Sequence, residues 1–249
     1  MKKYNLILIH SFPTNSLILG GLTAFLSKFF AVYFIDLPGF VRKVPPLETI
    51  SVNGFSEYLA KEIQKLKLEK YILGCISFSF CVVCKMKVDE SCRAILAITP
   101  FINKNSFLMD TTTSLKLFSF TELIKLLNVY DLLWKKSILT NFFKFRNPLI
   151  LETIFTEMDP KTFVDTANLL FSYNQSAWLD KPTLLITSDN DKRLSTDFTK
   201  KMFVKNVKDL LIVQTELDHF PKDISEKYFE KEIKKEALDK ILEWLETRY

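Results

Sequence analysis

Uninterrupted apolar runs alternate with amphipathic stretches along the N-terminal part of the chain. Continuous apolar segments of this length are typical of strands that are buried on both faces of a parallel sheet. The pattern predicts strands at 6–9, 31–35, 71–75 and 94–98. Helical spacing of apolar residues predicts helices between them, at 16–29, 52–66 and 78–87. Strands that alternate with helices in this way indicate an α/β fold with right-handed crossovers.

After residue 99 the pattern changes, and no further strand is predicted before residue 180. The intervening segment has helical patterns, at 115–129, 131–143 and 160–173. The alternation then returns, with predicted strands at 183–187 and 210–213 and a closing helix at 236–249. We therefore predict an α/β core domain of residues 1–99 and 180–249, with a mostly parallel sheet flanked by helices, and an inserted helical cap of residues 100–179.

Composition and charge limit the function classes. The chain has 249 residues, 48% of them hydrophobic, and its 34 basic and 29 acidic residues are mixed along the sequence, which is typical of solvated helix faces and not of a nucleic-acid-binding stripe. The apolar stretch 17–35 is interrupted by Ser27 and Lys28, and 71–84 is shorter than the roughly 18 residues that a membrane span requires. The N-terminal apolar run is too short for a signal peptide, so we expect a cytoplasmic protein without integral membrane association.

The four cysteines lie within one short segment, at Cys75, Cys81, Cys84 and Cys92. Cysteines so close in sequence are poorly placed to cross-link a fold by disulfides, and they are typical of buried thiols in a reducing compartment. Cys81 and Cys84 form a CxxC pair, but no second pair and no neighbouring histidine complete a metal site. We predict no metal and no cofactor.

Ser77 follows a predicted strand and precedes a predicted helix, so its hydroxyl is expected at the carboxyl edge of the sheet. A nucleophilic serine in this position is usually part of a G-x-S-x-G turn, whose flanking residues are small. Here the flanking residues are Cys75 and Ser79, which are small, but both glycines are missing. Taken alone, Ser77 is therefore either a nucleophile or a small buried polar residue.

The histidines strengthen the first interpretation, because the chain has only two, His10 and His219. His219 follows the last predicted strand, and Asp191 lies in the loop after the strand 183–187, with Asp189 a weaker alternative. Ser77, Asp191 and His219 are then in the chain order of α/β-hydrolase triads, and all three lie in loops at the same edge of the sheet.

Five segments resemble motifs of the α/β-hydrolase fold superfamily, in particular of compact serine esterases and lipases with a helical cap. The segment LILIHSFPTN is similar to the strand that is followed by the His-Gly-Phe-Pro oxyanion loop, VYFIDLPGF to the Asp-x-Pro-Gly turn of the next strand, and ILGCISFSF to the nucleophile elbow. KPTLLITSDND resembles the strand that leads to the catalytic acid, and LDHFP resembles the site of the catalytic histidine. The matches extend over nearly the whole chain.

The resemblance implies a role for each matching residue. Ser77 would be the nucleophile, His219 the general base and acid, and Asp191 the carboxylate that orients the histidine. The backbone N–H groups of Phe12 and Phe78 would form the oxyanion hole.

His10 and Ser11 would support the oxyanion loop, with Ser11 in a position where the family usually has glycine. Ser11 and Ser79 are expected at turns that favour positive φ, and Phe80 stands where a second small residue is common. These departures predict a narrowed elbow or a reshaped acyl pocket.

The predicted function is a metal-independent serine hydrolase that cleaves short to medium acyl or aromatic esters through an acyl-enzyme, acting on small-molecule substrates as a monomer or homodimer. Thioester hydrolysis, carbon–carbon bond hydrolysis and acyl transfer use the same triad and stay open. Dehalogenase and epoxide-hydrolase activities are disfavoured, because those relatives use aspartate where this chain has Ser77. The alternative to an enzyme is a non-catalytic ligand-binding or interaction protein. The missing elbow glycines suggest this alternative, and side chains of Phe78 and Phe80 that block the approach to Ser77 would favour it.

Overall fold

A computed structural model describes residues 4–135 and 147–249. Six strands form one sheet in which every pairing is parallel, in the order β2-β1-β3-β4-β5-β6. The strands are β1 (Tyr4–Ile9), β2 (Phe30–Ile35), β3 (Tyr71–Ile76), β4 (Cys92–Ile98), β5 (Thr183–Ser188) and β6 (Leu210–Thr215). The predicted α/β class is confirmed, and each predicted strand is present with bounds extended by one or two residues.

Helices cover both faces of the sheet. They are α1 (Gly20–Ser27), α2 (Val52–Leu66), α3 (Ser79–Val83), α4 (Thr111–Leu127), α5 (Tyr130–Leu133), α6 (Pro148–Glu157), α7 (Pro160–Ser172), α8 (Thr196–Asn206), α9 (Glu226–Glu232) and α10 (Lys235–Glu246), with a 3₁₀ turn at Lys104–Ser106. Buried residues of α2, α3 and α8 pack on one face, and those of α1, α9 and α10 pack on the other. Because both faces are covered, β3 and β5 are buried along their whole length, as their continuous apolar runs predicted.

Several predicted helix bounds are wrong, and hydrogen bonds explain two of them. The helix predicted at 16–29 begins only at Gly20, because the Asn15 side chain accepts the N–H groups of Leu17 and Ile18 in a turn before it. The helix predicted at 78–87 ends at Val83, where i→i+3 bonds replace the α-helical pattern. Of the helix predicted at 131–143, residues 136–143 lie outside the described residues.

Helices α6, α8 and α9 are absent from the sequence prediction. Each begins at a polar residue whose side chain caps the helix, namely Asn147, Ser195 and Ser225. Pro148 follows directly at the first helical position of α6, where proline is favoured. These capping signals are visible in the sequence and could have located the three helices.

Among the described residues between β4 and β5, the regular structure is helical apart from one isolated β-bridge, and residues of α4 and α7 line a cavity together with Ser77, which follows β3. Helices α4 and α7 contact each other, and the Asn168 amide donates to Thr121 Oγ1 across the interface at 3.0 Å. The assignment of residues 100–179 as a separate cap domain stays a prediction. Within the residues described, no helix is long and apolar enough to cross a membrane.

Candidate active site

Ser77 occupies the turn between β3 and α3 with φ +49°, in the left-handed region that non-glycine residues rarely adopt. The surrounding backbone holds this conformation. The Ser77 N–H donates to the Ile98 carbonyl at 3.0 Å, and the Ser77 carbonyl accepts from the N–H groups of Phe80 (3.0 Å) and Phe101 (3.1 Å). Strain of this kind persists only where the structure around it fixes the backbone, and it concentrates at functional sites.

A relay of hydrogen bonds runs from Ser77 through His219 to Asp191. The Ser77 Oγ lies 3.2 Å from His219 Nε2, and His219 Nδ1 lies 2.9 Å from Asp191 Oδ2. A carboxylate bonded to Nδ1 favours the tautomer with its proton there, which leaves Nε2 to accept the serine hydroxyl proton. The structure therefore brings together the three residues predicted as a triad, in an arrangement suited to activating a hydroxyl as a nucleophile.

The Asp191 carboxylate is fixed by the loop that carries it. Its Oδ1 accepts the backbone N–H groups of Arg193 (2.8 Å) and Leu194 (3.0 Å), while Oδ2 faces His219. Burial alone would raise the pKa of Asp191, but His219 and these N–H groups outweigh it and lower the pKa. The alternative acid, Asp189, is exposed and accepts from the Gln214 amide. Of the two carboxylates, Asp191 is thus the one that bonds to His219.

His10 joins the loop after β1 to the loop after β2. Its Nε2 accepts the Leu37 N–H at 2.8 Å, and its Nδ1 bonds to the Ser11 carbonyl at 2.9 Å. Burial lowers the pKa of His10, which keeps the ring neutral, and the Ser11 hydroxyl bonds to Thr14 Oγ1 at 2.9 Å. Both residues thus bond within or next to the loop after β1, and their role in supporting an oxyanion loop stays a prediction. Asn15, which sequence reasoning missed, adds a bond from its amide to the Phe40 carbonyl.

The two residues predicted to supply oxyanion donors lie on either side of the nucleophile. Phe12 lines the same cavity as Ser77 and His219. Phe78 directly follows Ser77, and its N–H has no acceptor in the described part of the chain. The oxyanion hole itself stays a prediction.

The expectation of positive φ at the two serines that replace glycines is wrong. Ser79 begins α3, and neither Ser11 nor Ser79 is in the left-handed region. The Ser79 hydroxyl is fully buried and accepts the Ile76 N–H at 2.8 Å, with the carbonyls of Ile9 and Ile76 within 3.1 and 3.0 Å of it. Ser79 therefore fills the position with a hydrogen-bonded side chain that joins the ends of β1 and β3.

The expectation of a narrowed elbow is also wrong. The Phe78 ring packs on Phe55 with a centroid distance of 5.6 Å, and the Phe80 ring packs on Phe203 at 5.0 Å. Both are buried in the core between the sheet and its helices, and neither lines the cavity at Ser77. The approach to the hydroxyl is not blocked by these rings.

A cavity of about 260 Å³ opens at Ser77 and His219. Most of its lining is apolar and comes from the oxyanion loop, the chain after β4, α4, α7 and the residue after His219. The apolar lining residues are Phe12, Phe101, Phe107, Leu108, Met109, Leu117, Ala167, Leu170, Phe171 and Phe220. Lys192 and Arg193 complete the lining, and sequence reasoning overlooked both although they directly follow Asp191. The cavity can bind a small, largely apolar molecule with a reactive group at Ser77.

The four cysteines are buried away from this cavity, and burial raises the pKa of each thiol. Raised pKa values make nucleophilic or redox chemistry unfavourable at these sites. Among residues 4–135 and 147–249, no group of three or more His, Cys, Asp or Glu side chains is placed to hold a metal ion.

No protein-family model matches the sequence, and neither does any curated protein. Solved structures, in contrast, match over nearly the whole chain. A bromoperoxidase from Bacillus anthracis has a TM-score of 0.72 at 16% identity, with 97% of this chain and 92% of that chain covered. An esterase from Exiguobacterium antarcticum has a TM-score of 0.68 at 14% identity, covering 99% and 91% of the two chains. The epoxide hydrolase of Bacillus megaterium has the same TM-score and identity, covering 98% and 94%. The chain therefore has the α/β-hydrolase fold.

Proposed function

We propose that the protein is a serine hydrolase that cleaves carboxylic esters through an acyl-enzyme formed on Ser77. The observation that carries the proposal is the relay Ser77–His219–Asp191, with distances of 3.2 and 2.9 Å, at the end of a mostly apolar cavity. Esterases with the same fold, such as the one from Exiguobacterium antarcticum, agree with it.

In the proposed mechanism, His219 Nε2 takes the hydroxyl proton as Ser77 Oγ attacks the ester carbonyl. The imidazolium that forms is stabilised by the Asp191 carboxylate, which is already held in place by two backbone N–H groups. His219 then gives the proton to the departing alcohol, and the acyl group stays on Ser77. Water, deprotonated by the same histidine, attacks the acyl-enzyme and releases the acid.

The backbone N–H groups of Phe12 and Phe78 are proposed to bind the oxyanion of each tetrahedral intermediate. A donor of this kind contributes about 3 kcal/mol to transition-state stabilisation in comparable sites. His10, neutral and fully buried, would act by holding the loop that carries Phe12.

The helices between β4 and β5 are proposed to act as a cap that sets the acyl pocket, because Leu117 of α4 and Leu170 of α7 line the same cavity as Ser77. A volume of about 260 Å³ favours short to medium acyl chains or a small aromatic ester. Initial rates on p-nitrophenyl esters of increasing chain length should pass through a maximum and then fall. Equal rates across the series would contradict a pocket of this size.

The proposal is tested by labelling with a fluorophosphonate probe, which reacts only with an activated serine. Wild-type protein should form a covalent adduct on Ser77, and Ser77→Ala and His219→Ala should form none. Asp191→Asn should label far more slowly, whereas Asp189→Asn, a matched change in the same loop, should label at the wild-type rate. Peptide mass spectrometry locates the adduct.

A folded wild-type protein that forms no adduct would exclude the hydrolase proposal and favour a non-catalytic ligand-binding protein on this fold. If Ser77 is labelled, thioester hydrolysis, carbon–carbon bond hydrolysis and acyl transfer are distinguished by substrate, since all use the same acyl-enzyme. Comparison of oxygen esters and thioesters of one acyl group, with and without an added alcohol acceptor, separates ester hydrolysis, thioester hydrolysis and acyl transfer, and carbon–carbon bond hydrolysis requires a ketone substrate with a scissile carbon–carbon bond.

A further inference from the structure

The cavity at Ser77 combines an apolar wall with two adjacent cationic side chains, Lys192 and Arg193. No carboxylate belongs to the described lining, and Asp191 lies behind it, bonded to His219. A purely apolar ester does not require cationic groups at this position. The two charges therefore indicate a feature of the substrate that the apolar lining does not explain.

Arg193 is held close to the catalytic groups by both its backbone and its side chain. Its N–H donates to Asp191 Oδ1 at 2.8 Å, so its position is coupled to that of the carboxylate that orients His219. Its guanidinium carbon lies 5.6 Å from the centroid of the Phe220 ring, which is next to His219 and also lines the cavity. This contact holds the cation against one wall of the pocket.

The guanidinium is half-buried, and burial lowers the pKa of Arg193, opposed by the nearby Asp191. An arginine keeps its charge even so, which means that a partly desolvated cation belongs to the lining of the cavity. Lys192, which is exposed, adds a second positive charge at the rim.

We infer that Arg193 is a specificity-determining residue that binds a carboxylate on the substrate, so that the preferred esters carry a second, anionic group in either the acyl or the alcohol part. The inference rests on the proposed hydrolysis at Ser77 and narrows its substrate class. A guanidinium binds a carboxylate through charge-assisted hydrogen bonds, which are stronger than those between neutral groups. Burial against Phe220 strengthens them further, because the local dielectric is low.

Two matched pairs of ligands test the inference. The monoethyl ester of glutaric acid and the ethyl ester of glutaramic acid have the same shape and differ in carrying a carboxylate or a neutral amide on the acyl part. The butanoyl esters of glycolic acid and of glycolamide place the same difference on the alcohol part. Binding of all four to Ser77→Ala, which cannot turn them over by the proposed route, is measured by calorimetry, and hydrolysis by the wild type is measured in parallel.

In at least one pair the carboxylate ligand should bind about tenfold more tightly than the amide, the effect expected of one charge-assisted hydrogen bond. Arg193→Gln in the Ser77→Ala background should reduce this ratio to near one, and Arg193→Lys should restore part of it. Lys205→Met removes one positive charge from the exposed end of α8, away from the cavity, and should leave the ratio unchanged. Thermal melting verifies that each variant is folded.

Ratios near one in both pairs, or a ratio that Arg193→Gln leaves unchanged, would overturn the inference. In that case hydrolysis of the neutral esters and labelling of Ser77 would show that the proposed function stands without it. If the carboxylate ligands bind more tightly but neither hydrolysis nor labelling occurs, the assignment of Arg193 holds for a ligand-binding site and the proposed function fails.

Discussion

Replacing Ser79 by glycine, the residue usual in α/β-hydrolase elbows, should destabilise this protein. The Ser79 hydroxyl accepts the Ile76 N–H at 2.8 Å and lies 3.1 Å from the Ile9 carbonyl, and it is fully buried. Without the hydroxyl the Ile76 N–H loses the acceptor that Ser79 supplies, at a buried position. A buried donor left without a partner costs about 1–3 kcal/mol.

The lost donor to Ile9 adds about 0.5–1.5 kcal/mol, so Ser79→Ala should lower the free energy of unfolding by roughly 2–4 kcal/mol. Ser79→Gly should lower it by about 0.5–1 kcal/mol more, because Ser79 is helical and glycine loses more backbone entropy there. For a chain of this size, about 2–4 °C in melting temperature corresponds to each kcal/mol, so Ser79→Ala should melt roughly 4–16 °C below the wild type.

Thermal unfolding followed by far-UV circular dichroism measures these shifts. Ser172→Ala is the matched control, since Ser172 Oγ is exposed on α7 and only donates to carbonyls of its own helix, at Asn168 and Leu169. That change should move the melting temperature by about 2 °C or less. A melting temperature of Ser79→Gly at or above that of the wild type would refute the reasoning, because the hydrogen bonds of the Ser79 hydroxyl would then add nothing to the stability of the folded protein.

Three further predictions concern the candidate triad and the thiols. Asp191→Asn should lower kcat for any ester that the wild type hydrolyses by an order of 10⁴, since the amide no longer selects the required tautomer of its histidine partner; a loss below tenfold would exclude the proposed role. The pKa of Asp191 in the folded protein lies below its usual 3.8, so the contribution of its charge to stability is present above pH 3.8 and is lost as the pH falls through the folded pKa. The free energies of unfolding of wild type and Asp191→Asn, measured in urea, should therefore converge below about pH 4 and differ most near neutrality. Ellman's reagent should find no rapidly reacting thiol in the native protein and four after denaturation, because Cys75, Cys81, Cys84 and Cys92 are buried; a fast-reacting thiol in the native state would contradict that burial.

The fold and the triad geometry could be anticipated because both depend on the ends of strands. Apolar runs located the strands to within one or two residues, and a parallel sheet places every loop after a strand at one edge. Ser77, Asp191 and His219 each follow a strand, so their proximity required only the correct strand assignment. The distances of 3.2 and 2.9 Å depend on side-chain packing and could not be predicted.

What the sequence did not predict depends on contacts between residues far apart in the chain. Ser79 looked like a departure from a glycine motif, but its hydroxyl reaches Ile9, which is 70 positions earlier. Phe78 looked able to block the nucleophile, but its ring turns into the core to meet Phe55. Arg193 was not predicted as a site residue although it is close to Asp191 in the sequence, because only the folded structure shows that Arg193 lines the cavity.

The carboxyl ends of three adjacent strands explain how an elbow without its usual glycines can hold a strained serine. Ser77 has φ +49° and Thr99 has φ +38°, and each such conformation costs about 1–3 kcal/mol in a residue that is not glycine. The Ser77 N–H bonds to the carbonyl of Ile98 at the end of β4, and the Thr99 N–H bonds to the carbonyl of Ile186 in β5 at 2.9 Å. These bonds link the serine to the strand that leads to Asp191. The sheet itself thus offsets the strain, and the spacing between nucleophile and carboxylate is set by strand register, which substitutions at the glycine positions leave unchanged.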